Sequence, residues 1–353
     1  MELSQIDKNM ANQTVIEKDG TVFYNPDNAP FRIYGVTRYG ERYYRLPAEV
    51  AETVNTGVAG LCRNTAGGRI RFVTDSRRIA IIANRDRVEF SDHMTYVNKA
   101  GYDLYADDDY YGTFRPSPNP SASGFEASVN IEGDRADRVI TINMPLYGGV
   151  RDLLIGIEAD ATLTPAPDYK LECPVVYYGS SITQGGCASR PGMSYQAIIS
   201  RRLGINHLNL GFSGSARGED TIADYIAGLE MSAFVYDYDH NAPNPTHLEL
   251  THGPMFDKIR AAHPDIPIIM VSRPRNRRNL DRERRLEIIK ATYDRAVAAG
   301  DENVYLVNGG EFFGEVGNDG TVDGCHPTDL GFWCMANGIA PVLEAALKKC
   351  GKI

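Results

Sequence analysis

The sequence predicts two domains of different class. An all-β sandwich or jelly roll is expected over residues 1–165, and an α/β domain over residues 166–353. Three observations carry this. A length of 353 residues fits two domains better than one or three. Before residue 166 the chain runs as short alternating segments broken by turn residues. After it, strand-like and helix-like segments alternate. The segment Thr162-Leu163-Thr164-Pro165-Ala166-Pro167, with two prolines, reads as the linker.

In the first part, alternating or apolar runs at 69–74, 79–83, 102–105, 138–143 and 153–157 read as strands. Only Pro47 to Asn55 reads as a short helix there. Asp107-Asp108-Asp109, flanked by aromatic strand residues and followed by Gly112, reads as a hairpin turn in preference to a calcium site. In the second part, strands are expected at 175–178, 207–210, 233–238, 268–272 and 304–307. Helices are expected at 194–203, 220–229, 254–262, 281–299 and 328–349. Five such βα units predict a parallel sheet with helices on both faces, and an active site at the carboxyl ends of the strands.

Composition excludes several classes. Hydrophobic residues at 42% and charged residues at 24% argue against disorder, collagen-like repeats and a coiled coil. The net charge of −9 makes the chain a poor partner for nucleic acid or an anionic membrane. No run of about 18 apolar residues suggests a membrane span. The start, Met1-Glu2-Leu3-Ser4-Gln5-Ile6-Asp7-Lys8, lacks the apolar core of a signal peptide. The expected compartment is the cytoplasm, or a secreted or periplasmic one where a leader precedes this sequence. The six cysteines form no C-x-x-C pair, so a zinc ribbon or thioredoxin-type motif is not expected, and the thiols read as reduced and mostly buried.

The strand ends carry the chemistry. The first ends in Tyr178-Gly179-Ser180-Ser181-Ile182-Thr183-Gln184-Gly185-Gly186, the second in Asn209-Leu210-Gly211-Phe212-Ser213-Gly214. The third ends in Asp237-Tyr238-Asp239-His240-Asn241, and Asp323-Gly324-Cys325-His326 precedes the last helix. Singly, each reads as a turn or a cap. Together they place a serine, a glycine turn, an asparagine and a D-x-x-H pair at one edge of one sheet.

This set resembles the four blocks of the SGNH, or GDSL-type, hydrolase family over roughly residues 171–350. The β-rich segment is similar to the N-terminal β-sandwich of one branch of that family, on Tyr43-Tyr44-Arg45-Leu46-Pro47 and the run Gly101–Phe114. The resemblance implies a flavodoxin-like, three-layer fold around a five-stranded parallel sheet. It implies Ser181 as nucleophile, His326 as general base and then acid, and Asp323 as the residue that orients the imidazole. It also implies an oxyanion hole from the amides of Ser181 and Gly214 and the side chain of Asn241. No cofactor and no metal are implied.

One position departs from the family pattern: Ser180 stands where an aspartate is usual. In an extended pair Ser180 points away from Ser181. Ser213 and Ser215 are rival serines, but neither lies in a complete G-x-S-x-G elbow. The expected activity is hydrolysis of a small acyl ester, acetyl on a carbohydrate by analogy. An acyltransferase with the same triad and a non-catalytic sugar-binding protein are the alternatives. The partner is then a small-molecule or oligosaccharide ester. The first domain is expected to bind sugar, to shape the pocket or to support a homo-oligomer.

Other features have two readings. Arg273, nearest a strand end, is a candidate substrate contact, whereas Arg275, Arg277 and Arg278 can be a solvated loop. Trp333 is a core residue or a pocket wall. Asp237, Asp239 and His240, with His247 and His252, read as polar packing in preference to a metal site. Cys187 and Cys325 are expected near the triad, bridged only in an oxidising compartment.

Overall fold

The computed structural model describes residues 16–117, 119, 121–171, 173–274 and 281–353. The first part holds eleven strands, β1 (Thr21–Tyr24), β2 (Arg32–Tyr34), β3 (Thr37–Tyr39), β4 (Arg42–Tyr44), β5 (Arg69–Thr74), β6 (Arg78–Arg85), β7 (Tyr102–Ala106), β8 (Asp109–Phe114), β9 (Gly124–Asn130), β10 (Arg138–Asn143) and β11 (Val150–Glu158). They form two antiparallel sheets, ordered β1-β11-β6-β9 and β2-β5-β10-β7-β8, with β3 and β4 as a separate ribbon. Period-two alternation explains the sandwich. Ile70 and Phe72 of β5, Ile140 and Ile142 of β10, Ile79 and Ile81 of β6, and Ile155 and Ile157 of β11 fill one buried core.

The β7–β8 hairpin turns at Asp107 and Asp108, with φ of 50° and 71°. Positive φ at both central residues is the tight hairpin geometry that Asp tolerates. The short strands β1 to β4, together with β8 and β9, lie outside the expected set, as do helices at Thr56–Leu61 and Tyr96–Ala100. The three- and four-residue strands β1 to β4 and the two short helices are too short for a periodicity to stand out from a loop; β8 and β9, of six and seven residues, are not.

The second part is the expected α/β layer. Strands β12 (Val175–Gly179), β13 (His207–Gly211), β14 (Ala233–Asp237), β15 (Ile268–Val271) and β16 (Val304–Val307) run parallel in the order β13-β12-β14-β15-β16. This is the flavodoxin-like order, with its topological switch between β12 and β14. Sheets covered on both faces need strands that are apolar on both, and β12, β14 and β15 are buried throughout. Val176, Tyr178, Phe234, Tyr236, Ile268 and Met270 face one core. Val175, Tyr177, Ala233, Val235, Ile269 and Val271 face the other.

The helix expected from Pro254 begins at Pro245 instead. Asn244 caps it, its side chain accepting from the His247 amide at 2.8 Å, and Pro245 sits in the first turn, where its missing N–H costs nothing. Pro254 lies inside the helix rather than at its start. Contrary to the expectation of no such segment, the last helix, Asp329–Lys349, is long and apolar enough to cross a membrane by length and composition. In this fold Phe332, Met335, Ile339, Leu343 and Leu347 of that helix pack into the core beside the sheet.

Arg45, just after β4, joins the two parts. Its guanidinium donates to the carbonyls of Asn64 at 2.6 Å, Leu61 at 2.9 Å, Asn209 at 3.0 Å and Gly211 at 2.6 Å. It also lies 4.8 Å from the centre of the Phe212 ring. Burial pushes its pKa down to about 10, so it stays charged at neutral pH. Arg45→Ala should cost about 3–5 kcal/mol, because buried carbonyls on both parts lose their donor. Chemical denaturation of both proteins measures this; a loss under about 1 kcal/mol would show that the carbonyls find other donors.

Candidate active site

Strand β12 delivers the nucleophile candidate. Gly179 ends it against Asp237 and Thr183, and a Cβ at this position would collide with both side chains. Ser180 then caps the short helix Ser181–Gln184, its Oγ accepting from the Ile182 amide at 3.1 Å. Ser180 is fully buried, which leaves Ser181 as the partly exposed hydroxyl at the first helical position. The residue that departs from the family pattern therefore serves as a cap.

Ser181 Oγ lies 2.9 Å from Nε2 of His326, and His326 Nδ1 lies 2.9 Å from Oδ2 of Asp323. The other Asp323 oxygen accepts the backbone amides of Cys325 at 2.9 Å and His326 at 2.8 Å. Gly324, at φ +81°, lets the chain turn tightly between them. Burial raises the Asp323 pKa, but the amide and imidazole hydrogen bonds and the imidazole charge outweigh it and hold it down to about 2. A carboxylate held ionised on Nδ1 turns Nε2 toward the serine, the arrangement of a nucleophile, a base and an orienting acid.

The neighbouring strand ends supply donors. Gly211 packs so closely on Thr183 and Gln184 that a Cβ would overlap their backbone. Gln184 accepts the Ser213 amide at 3.0 Å, which fixes the loop that follows. Gly214 is exposed at φ +69°, and among the described residues its amide has no hydrogen-bond partner. Asn241 donates one amide hydrogen to the Phe212 carbonyl at 2.9 Å and keeps the other for a ligand. Ser213 and Ser215 stay in this loop, and Ser215 Oγ bonds the Ser213 carbonyl.

The remaining candidates fall elsewhere. Arg273, a candidate substrate contact, donates from its side chain to the Asp239 carboxylate at 3.3 Å and to the Asp239 carbonyl at 2.7 Å. It braces the turn before Asn241, because a buried carboxylate there demands a cation. Arg275, Arg277 and Arg278 lie outside the described residues. Trp333 is about half exposed on the last helix, with the Arg202 guanidinium 4.0 Å from its ring, so it is not a core residue. Asp237 and Asp239 point to different partners: Asp237 accepts from Thr183 and from Tyr195 at 3.1 Å. His240 is partly buried, and desolvation with nearby Arg273, His326 and Arg285 pushes its pKa well below 6.5. His252 bonds Thr292, and His247 lies against the Arg217 carbonyl. No disulfide joins Cys187 and Cys325.

The first domain reaches the site through residues that carried no motif. Asn98 donates to the carbonyls of Gly185 at 2.9 Å and Ala188 at 2.8 Å, and Tyr147 donates to the Ser181 carbonyl at 3.2 Å. The His93 ring lies 5.8 Å from that of His326. A single histidine in a loop of another domain offers nothing in sequence to link it to a D-x-x-H pair far along the chain.

Residues 172–344 match the model of the GDSL-like lipase/acylhydrolase family, and residues 21–163 match the N-terminal domain of SGNH-type esterases. The α/β part belongs to the GDSL-like lipase/acylhydrolase family, and the part before it is the N-terminal domain found in SGNH-type esterases. No curated protein matches it. This acylhydrolase is similar to a Bacteroides ovatus protein described as a GDSL-like lipase, at 29% identity and a TM-score of 0.83, over 93% of this chain and 98% of that one. The salicylyl-acyltransferase SsfX3 from a tetracycline biosynthetic pathway shares its fold at 19% identity and a TM-score of 0.77, over 92% and 97% of the two chains. The acetyl xylan esterase Est2A from Butyrivibrio proteoclasticus does so at 13% identity and 0.60, over 94% and 100%.

Behind the nucleophile, burial raises the Asp237 pKa to about 8, against the donors Thr183 and Tyr195. A carboxyl whose folded pKa exceeds its unfolded one contributes stability below the unfolded value of 3.8, and that contribution drains away as pH rises to about 8. Wild-type stability relative to Asp237→Asn should therefore fall across this window in denaturation at stepped pH. A difference independent of pH would show that Asp237 is ionised in the folded acylhydrolase.

Proposed function

We propose that this acylhydrolase is a serine esterase that removes a small acyl group, acetyl above all, from a carbohydrate through an acyl-enzyme on Ser181. The observation that carries the reading is the unbroken relay from Ser181 Oγ through His326 to Asp323, each link 2.9 Å long. Ser181 Oγ attacks the ester carbonyl carbon as its proton passes to His326 Nε2. The amides of Ser181 and Gly214 and the Asn241 side chain receive the oxyanion. Collapse breaks the ester bond, and His326 gives the proton to the departing alcohol. Water then attacks the acyl-enzyme, its proton going to His326, and collapse returns a proton to Ser181 and releases the acid. Asp323 stays ionised throughout.

The acetyl-carbohydrate part draws on neighbours in fold, the acetyl xylan esterase among them. A second reading, transfer to an alcohol acceptor, draws on the acyltransferase that shares the fold across nearly the whole chain. Both use the same acyl-enzyme and differ in what attacks it.

Ser181→Ala should remove nearly all activity on p-nitrophenyl acetate, about 10⁴-fold or more. Asn241→Ala should cost about 10²–10³-fold in kcat with little change in KM, as loss of one oxyanion donor does. Activity retained by Ser181→Ala would sink the nucleophile assignment. A screen of acetylated oligosaccharides, with mass spectrometry of products with and without candidate acceptors, separates the two readings. Free acetate as the sole acyl product supports hydrolysis, and an acylated acceptor supports transfer.

A further inference from the structure

We propose that Cys187 Sγ and one ring nitrogen each of His93 and His326 form a binding site for a zinc-like divalent cation, whose occupancy competes with catalysis. The three ligand atoms lie within 4.8 Å of one another. They come from three separated places: the loop before the helix Tyr96–Ala100, the turn after the nucleophile helix, and the D-x-x-H turn. Two imidazoles and a thiol are the donor set of a borderline-soft metal, not of magnesium or calcium. Tetrahedral zinc, with bonds of about 2.0–2.1 Å to nitrogen and about 2.3 Å to sulfur, needs its ligands about 3.4–3.6 Å apart. His93 can close that gap, because it sits on a surface loop with about a third of its side chain exposed.

The surroundings of both imidazoles also suit a metal. His93 Nδ1 lies 2.9 Å from Asp92 Oδ1, and His326 Nδ1 lies 2.9 Å from Asp323 Oδ2. Each ring thus has a carboxylate on Nδ1 and presents Nε2, the carboxylate–histidine arrangement that orients metal ligands. Cys187 is held at φ +72°, an uncommon backbone for a residue other than glycine, asparagine or aspartate, and it is buried. The cation would bind as the thiol releases its proton to solvent, leaving the fourth position to water or Ser181. A metal on His326 Nε2 takes the lone pair that would accept the Ser181 proton. The consequence is reversible inhibition. That consequence rests on the triad reading; the binding itself does not.

The test uses tag-free full-length protein and two readouts. Cobalt(II) is titrated into wild type, Ser181→Ala, His93→Ala and Cys187→Ser and followed by absorption. Zinc is titrated into esterase assays of the active proteins, then removed with EDTA. A thiolate-to-cobalt charge-transfer band is expected in wild type and Ser181→Ala. It should be absent in Cys187→Ser and need at least tenfold more metal in His93→Ala. Zinc should inhibit wild type reversibly, with magnesium and calcium inert, and His93→Ala should need at least tenfold more zinc relative to its own activity. No band in wild type, or a band that survives Cys187→Ser, overturns the site. A band with the expected variant pattern but no zinc inhibition supports the site and counts against His326 as the base.

Discussion

A single buried cation organises the active-site edge of this molecule. Among the described residues Arg45 has no carboxylate as a hydrogen-bond partner; carbonyl oxygens of both domains accept from its guanidinium. Two of them, Asn209 and Gly211, belong to β13 at the edge where the site forms. Gly211 in turn touches the nucleophile helix at Thr183 and Gln184. The next residue, Phe212, donates to the Gly179 carbonyl at 2.8 Å and accepts from Asn241 at 2.9 Å. The serine turn, the glycine loop and the asparagine turn therefore meet at two consecutive residues that Arg45 holds from behind. A cation so placed needs the first domain to be folded, since Asn64 and Leu61 complete its shell.

The same logic of burial explains the polar residues beside the site. Asp239 is buried, and Arg273 and Arg285 converge on its turn, Arg285 donating to the Asp239 carbonyl at 2.6 Å. Asp103, in β7, is fully buried and accepts Arg190 at 2.9 Å, Asn143 at 2.7 Å and the Gly192 amide at 2.7 Å. Each removes a charge from water and compensates it with several fixed donors, so each holds one geometry in preference to a family of them. Asp103 does this across the domain junction, since Arg190 and Gly192 lie in the α/β part.

Legibility in the sequence followed the length over which a signal accumulates. The five parallel strands were readable because burial on both faces demands continuous apolar runs, and β12, β14 and β15 have them. Ser181, Gly214, Asn241, Asp323 and His326 were readable as a set because strand ends of a parallel sheet share one edge. Arg273 was placed at that edge by the same signal, but its pairing with buried Asp239 joins residues 34 apart and carries no pattern in the sequence. Arg45, Asn98 and His93 were invisible in function. Their partners lie far along the chain, and one polar residue in a loop carries no period. Ser180 was noticed as a departure, but its capping bond depends on a helix of only four residues.

The first domain is thus not a loosely tethered appendage. An appendage would meet the catalytic layer through a wet, exchangeable surface. Here the junction buries Arg45 and Asp103, and Asn98 bonds the two carbonyls that bracket the turn through Cys187. Thr95 reaches the Ser189 carbonyl at 2.6 Å, and Tyr147 reaches the carbonyl of Ser181 itself. The turn after the nucleophile is bonded from outside its own domain, and it contains Cys187 at an unusual φ. The sandwich therefore helps to hold the shape of the nucleophile turn, because four hydrogen bonds to carbonyls of that segment come from outside its own domain.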